Sequence, residues 1–413
     1  MNCFIHAADL HLDSPLLGLE QYDSAPVEEA RQATRHAFRK LIDLCLERRA
    51  PLLLLAGDVF DSNWHDFNTG LFYIHELSRL REAGTRVITV RGNHDSASEV
   101  TRSLTLPEHV TELSSRTVAS VEVAELGLVV HGRSYTQRAV TENWVPDYPD
   151  PVDGMINVGL LHTNVDGSPD HDNYAPCRLS DLVDKGYDYW ALGHIHERRV
   201  LNESPYVVYP GCLQGRHVRE SGPKGCMVVD LADGAITGVE PVDLQAMQWT
   251  RLEVVLGGDE EDADAVLEVV AERFGELSER ESELLAVRVE VSGACRGYMS
   301  VERERERLVN EVRALPGRTG ARAWIEKVRL RVRPPLETSH EGAAADLREQ
   351  LRERVAALEG DADGLAQLAE VLQPMVKKAG SEVEEAPAGA AWLQDLLPEV
   401  QAVLDVRLKA ADE

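Results

Sequence analysis

Apolar residues in the first half of the chain come in short runs separated by longer amphipathic stretches. Asn2 to Ala8 reads as a strand, Val27 to Arg49 as an amphipathic helix, and the Leu run of Pro51 to Ala56 as a buried strand too short for a helix. Asp66 to Ala83 is then helical and Thr85 to Val90 a strand. Strands follow at Val118–Val123, Leu126–Val130, Ile156–Leu161, Tyr187–Leu192, Tyr206–Tyr209 and Cys226–Leu231. Alternating strands and helices predict an α/β layered domain, and the scarcity of helices between the later strands predicts a mixed sheet.

The pattern breaks near Ala232–Gln245 and resumes as a βαβαβ unit. It comprises strand Trp249–Leu256, helix Asp262–Phe274, strand Leu285–Val291, helix Ser300–Ala314 and strand Trp324–Val332. Pro334 and Pro335 end it, because the residue before a proline is pushed out of the helical region. From Gly342 onward the sequence is helical in pattern, with apolar stripes through Leu347, Leu351, Val355 and Leu358, then Leu365, Leu368, Val371 and Leu372, then Trp392, Leu396, Leu397 and Val400. Such stripes must be buried, against one another, against the preceding unit or against a partner. The expected organisation is a domain over 1–240, a small α/β domain over 245–335 and a helical tail over 336–413.

With 43% hydrophobic residues in 413, a sizeable core is expected. No apolar run approaches the roughly 20 residues of a membrane span. The start, Met1 to Asp9, has no basic n-region, so a cytoplasmic protein without a signal peptide is expected. Six scattered cysteines, none in a C-x-x-C pair, are expected to be buried thiols. The net charge of -28 is awkward for a nucleic-acid partner, which wants Lys and Arg against phosphate. Net charge describes long-range fields, however, and leaves room for a local basic groove. Arg216, His217 and Arg219, with Lys224, form such an island, read either as phosphate contacts or as loop ion pairs.

Five short clusters each follow a strand: Asp9-Leu10-His11, Gly57-Asp58, Gly92-Asn93-His94-Asp95, His162, and Gly193-His194-Ile195-His196. In α/β sheets ligands gather outside the carboxyl ends of strands, so these ends can converge. Singly, Asp-x-His and Gly-Asp are weak and Gly-His-x-His can be a solvated pair, whereas Gly-Asn-His-Asp is fairly specific, with a turn as its bland reading. Together they offer carboxylates, imidazoles and an amide, a set suited to Mn, Fe or Zn. There are enough donors for two ions, and two ions about 3.5–4 Å apart can clamp a phosphate and activate water. Glycines 57, 92 and 193 fit turns that need a permissive backbone.

The series D-x-H, GD, GNHD, H and GH-x-H resembles the motif set of the calcineurin-like metallophosphoesterases. The resemblance implies a four-layer α/β/β/α sandwich. It implies one ion held by Asp9, His11, Asp58 and His196, and a second by Asp58, Asn93, His162 and His194, with Asp58 bridging. His94 would be the general acid and Asp95 its orienting carboxylate. The segments ADLHLDSPL and GDVFDS, and the stretch PGCLQGRHVRESGPKG from Pro210 to Gly225, resemble DNA repair exonucleases of the SbcD type and their YhaO-like bacterial branch. That implies a manganese-dependent DNA exonuclease working with an SbcC-like ATPase, with a capping domain after Trp249 and a tail that grips the partner, and leaves a homodimer open. The protein-phosphatase branch fits less well, since Asp61-Ser62-Asn63 stands where it would have Asp-Arg-Gly and Asp95 where it would have Glu. Two other readings stay open: a small-molecule or nucleotide phosphodiesterase, and a non-catalytic scaffold regulating an ATPase.

Overall fold

The computed structural model describes residues 2–12, 14, 29–30, 32–61, 67–97, 104–167, 174–280, 284–335, 345–359, 361–378, 389, 392–394, 396–397, 400–401 and 403–404. The starts expected for the helices at Val27, Asp66 and Gly342 fall outside these residues. The chain divides into two compact units: Met1–Arg251 with Glu281–Arg288 and Arg322–Glu326, and the remainder.

Two six-stranded sheets build the first unit. In spatial order the first holds Ala235–Asp243 (β12), Gly225–Ala232 (β11), Asn2–Ala7 (β1), Leu52–Ala56 (β2), Arg86–Val90 (β3) and Val110–Glu112 (β4). The second holds Ala119–Val123 (β5), Leu128–Gly132 (β6), Ile156–His162 (β7), Tyr189–Gly193 (β8), Tyr206–Tyr209 (β10) and Arg199–Glu203 (β9). β1, β2, β3 and β4 pair in parallel, as do β6, β7, β8 and β10, while β11, β12, β5 and β9 join antiparallel. The sheets are therefore mixed, as the sequence pattern predicts.

Strand alternation explains the layering. Cys3, Ile5 and Ala7 pack with Ala37, Phe38, Leu41, Ile42 and Cys45, the apolar stripe of helix Ala33–Arg48 (α1), and with Tyr73, Leu77 and Leu80 of helix Phe67–Glu82 (α2). Phe4, Leu52, Leu54, Ile88 and Val90 face the other way, against Leu128, Val130, Val158, Leu160 and Ala191 of the second sheet. Trp190, Leu192 and Tyr209, on the outer face of that sheet, pack with Tyr135, Trp144, Tyr148 and Leu182, the last from helix Leu179–Asp184. Burial of each such side chain is worth roughly 1.5–3 kcal/mol. The layers run α/β/β/α, the expected fold.

One expectation is corrected. The break read near Ala232–Gln245 is β12, an edge strand paired along β11. Its exposed positions carry Glu240 and Asp243 and it contains Gly238 and Pro241, a polar edge whose sequence looks like a linker.

A third sheet orders Met247–Val255 (β13), Leu284–Ala294 (β14) and Ala323–Arg333 (β15). In the second unit, helix Ala263–Arg280 buries Val266, Val270 and Phe274, and helix Arg305–Thr319 buries Leu308, Val312 and Leu315. Arg329, on the basic face of β15, is paired with Glu290 at 3.2 Å. In the tail, Val355, Leu365, Leu393 and Leu397 form one buried cluster edged by Leu358, Leu368, Leu372 and Trp392, so the apolar stripes cover one another. Among the described residues no helix is long and apolar enough to cross a membrane.

Candidate metal centre

The five motifs sit on the loops leaving β1, β2, β3, β7 and β8, and backbone bonds lash those loops together. The amides of Asp9 and His11 donate to the carbonyls of Gly57 and Asp58 at 3.0 and 3.1 Å. The amide of His194 donates to both carboxylate oxygens of Asp9, and that of His94 to Oδ1 of Asp58 at 2.9 Å. Asp9, His11, Asp58 and His194 all have positive φ, at 52°, 41°, 51° and 103°. Such a backbone costs on the order of 1–3 kcal/mol per residue and persists where the surroundings over-determine it.

The glycines serve two different needs. Of Gly57, Gly92 and Gly193, Gly57 alone has a positive φ, 91°. A Cβ on Gly92 would lie 2.1 Å from Oδ1 of Asp58, and one on Gly193 would lie 1.9 Å from the carbonyl oxygen of Ala56. Those two are required by close approach, not by the turn conformation that the sequence suggests.

The imidazoles are aimed by their outer nitrogens. Asp61 accepts from Nδ1 of His11 at 3.0 Å, and Glu220 accepts from Nδ1 of His196 at 2.7 Å. A carboxylate is acceptor-only, so a proton on each Nδ1 meets it and Nε2 is turned inward, although at His196 the same Nδ1 also lies 3.1 Å from Nη2 of Arg216, a donor. These two Nε2 atoms face each other at 3.3 Å, with Oδ1 of Asp9 3.8 Å from that of His196. His162 likewise gives Nδ1–H to the carbonyl of Ala56 at 2.9 Å and turns Nε2 toward Oδ1 of Asn93 at 2.9 Å and Oδ2 of Asp58 at 3.4 Å. Facing lone pairs repel, and a cation between them turns the clash into coordination. A proton meets the same demand: burial opposes charge on His162, yet Asp58 and Asp9 push it up to about 9. Asp58 is held well below the usual carboxylate range by His162, although burial opposes this.

The donor atoms of Asp9, His11 and His196 lie within 4.8 Å of one another, as do those of Asp9, Asp58 and His162. The donor set fits two divalent cations. Asp9 is the carboxylate common to these two groups, and the donors of His11, Asp61 and His94 form a third. The ring of His194 packs against those of His162 and Tyr174, with centroids 5.2 and 5.7 Å away.

Asp95 lies elsewhere than its expected role requires. Its buried carboxylate accepts from the backbone amides of Val59 at 3.2 Å, Phe60 at 3.0 Å and Gly92 at 3.1 Å. The carboxylate beside His94 is Asp61, whose Oδ1 is 3.1 Å from its Nδ1. Burial disfavours charge on His94, but Asp61 and Asp58 outweigh it and raise its pKa. Asp61 and Glu220 were not singled out by sequence reasoning, although both stand inside segments that carry the resemblance, GDVFDS and PGCLQGRHVRESGPKG. Arg216 is held by Glu220, while His217 and Arg219 are exposed. All three line a cleft of about 630 Å³ with His196, Lys224 and Arg251.

The chain is similar to known metallophosphoesterases. Residues 4–198 match the family model described as calcineurin-like phosphoesterase, and residues 249–333 that described as the middle domain of the metallophosphoesterase YhaO. The chain is 35% identical over 283 residues to the uncharacterized metallophosphoesterase YhaO of Bacillus subtilis (strain 168), covering 68% of this chain and 69% of that protein. It is 26% identical over 353 residues to the DNA double-strand break repair protein Mre11 of Methanopyrus kandleri, covering 74% and 71%. The Mre11 of Aeropyrum pernix is 28% identical over 275 residues, covering 61% and 63%.

Proposed function

Because the chain belongs to the calcineurin-like metallophosphoesterases, in their YhaO-like branch, we propose that its phosphoester chemistry is hydrolysis of the DNA backbone, as an exonuclease subunit working in the cytoplasm with an SbcC-like ATPase. The observation that carries the reading is the inward convergence of the Nε2 atoms of His11, His196 and His162 on Asp9, Asp58 and Asn93. Asp9, His11, Asp58 and His196 would hold one ion and Asp58, Asn93, His162 and His194 the other, with Asp58 contributing to both and Asp9 lying beside both groups. Manganese suits this mixture of oxygen and imidazole donors. When bound, such ions supply charge neutralisation at the phosphate and activated water near neutral pH.

The chain's own residues do the rest. Oδ1 of Asp61 lies 3.1 Å from Nδ1 of His94, whose side chain is 27% exposed, and favours the protonated ring, which can pass a proton to the departing sugar oxygen. Asp95 holds the loops that carry Asp58 and Asn93 in register. DNA as substrate is supported by the repair proteins among the relatives and by the cationic lining of the cleft in an otherwise acidic chain. Residues 1–240 form the catalytic domain, 245–335 the cap and 336–413 the partner-docking tail. The tail's stripes cover one another, so a partner would read what they leave outside, including Val371, which is 70% exposed.

The test is digestion of labelled duplex and single-stranded DNA with Mn²⁺, Mg²⁺ or no metal, with and without a cognate ATPase. Shortening of DNA from its 3′ ends, dependent on metal, is expected. Hydrolysis of bis-p-nitrophenyl phosphate with intact DNA would refute the nuclease reading and favour a small-molecule phosphodiesterase.

A further inference from the structure

Arg216 reads from sequence as a phosphate contact, but its surroundings give it a different task. Its side chain is 15% exposed, and its Nη2 and Nε lie 2.7 and 3.3 Å from the two carboxylate oxygens of the buried Glu220. Its backbone amide also donates to Glu220, at 2.8 Å. On the other side Nη1 is 3.7 Å from Oδ1 of Asp61. The guanidinium thus lies between two carboxylates, and each carboxylate holds the Nδ1 proton of one imidazole of the same facing pair, Glu220 that of His196 and Asp61 that of His11.

We infer that Arg216 is a positioning residue that assembles one of the two metal positions, that of Asp9, His11 and His196, by holding Glu220 and Asp61 in place. The inference rests on the two-ion reading above. Without a shared counter-charge, the buried Glu220 and the half-buried Asp61 would repel each other and swing away from the rings they orient. A planar guanidinium can fork onto one carboxylate and still reach the second, whereas the single ammonium of lysine cannot make both contacts in fixed geometry. Partners that orient a ligating imidazole are typically worth about 10–100-fold in metal affinity. The second position, with His162 held by the carbonyl of Ala56, does not depend on Arg216.

The experiment compares the full chain with Arg216→Gln, Arg216→Lys and Glu220→Gln. Circular dichroism checks folding, equilibrium dialysis with metal analysis counts Mn²⁺, and electron paramagnetic resonance reports whether the ions are spin-coupled. The wild type is expected to bind two coupled ions. Arg216→Gln is expected to weaken one ion about 10–100-fold, leave the other unchanged, and give the six-line spectrum of isolated Mn²⁺ at concentrations that saturate the wild type. Arg216→Lys should recover only part of the loss. If Arg216→Gln binds two coupled ions as tightly as the wild type and only KM for DNA rises, Arg216 is a substrate contact and the inference is overturned. Should Arg216→Gln fail to fold, Glu220→Gln carries the test, and undiminished binding of both ions there overturns it equally. A wild type that binds one ion or none overturns the two-ion reading, and this inference with it.

Discussion

Replacing Asp95 with Ala separates two roles for this residue. The carboxylate is 1% exposed and accepts three backbone N–H bonds from the loops that carry Asp58 and Asn93. Each donor left buried without an acceptor costs about 1–3 kcal/mol, so the simple sum is about 3–9 kcal/mol. Relaxation of the loops and entry of water to the freed N–H groups would bring this toward the lower end, about 3–5 kcal/mol. For a unit of this size each kcal/mol lowers Tm by roughly 2–4 °C, so a fall of at least about 6 °C is expected. The assay is thermal unfolding followed by tryptophan fluorescence, since Trp144 and Trp190 lie in the core of the same unit. It is run in chelator so that lost ion binding does not contribute. An unchanged Tm with much reduced turnover would refute the loop-holding role and restore Asp95 as the orienting partner of His94.

Three further outcomes follow from the same geometry. His94→Ala should keep both ions yet lose about 10²–10⁴-fold in turnover, as expected for a general acid; loss of an ion on metal analysis would make His94 a ligand. Gly92→Ala places a methyl 2.1 Å from Oδ1 of Asp58, so the purified variant should be depleted of metal, and full occupancy would contradict the close-approach argument. Burial lowers His6 to about 3, against an unfolded value near 6.5. The unfolded chain therefore takes up the proton first as pH falls, so this contribution is complete above about pH 6.5 and drops by about 2 kcal/mol by pH 5. Urea midpoints of the wild type should fall more between pH 7.5 and 5 than those of His6→Asn, and equal losses would contradict the neutral buried ring.

Sequence carried much of the fold because the parallel strands are buried on both faces and spell continuous apolar runs, as Leu52–Ala56 does. It failed at Val110–Glu112, Arg199–Glu203 and Ala235–Asp243, strands too short or too polar to stand out from loops. All three lie at sheet edges. The motif residues were legible because each follows such a run. Their supports were not. Asp61 meets His11 across 50 positions and Glu220 meets His196 across 24, and no local pattern announces contacts made by tertiary approach. Adjacency in sequence suggests that Asp95 orients His94, while the helical turn Asn93–Ala97 sends the two side chains to different partners.

The most direct measurement pairs metal content with DNA digestion in the wild type and in Asp58→Asn. The account predicts two ions per wild-type chain and shortening of duplex DNA in Mn²⁺, with both ions weakened and digestion abolished in the variant. Full digestion by Asp58→Asn, or a wild type that leaves duplex and single strands intact while holding two ions, would contradict it.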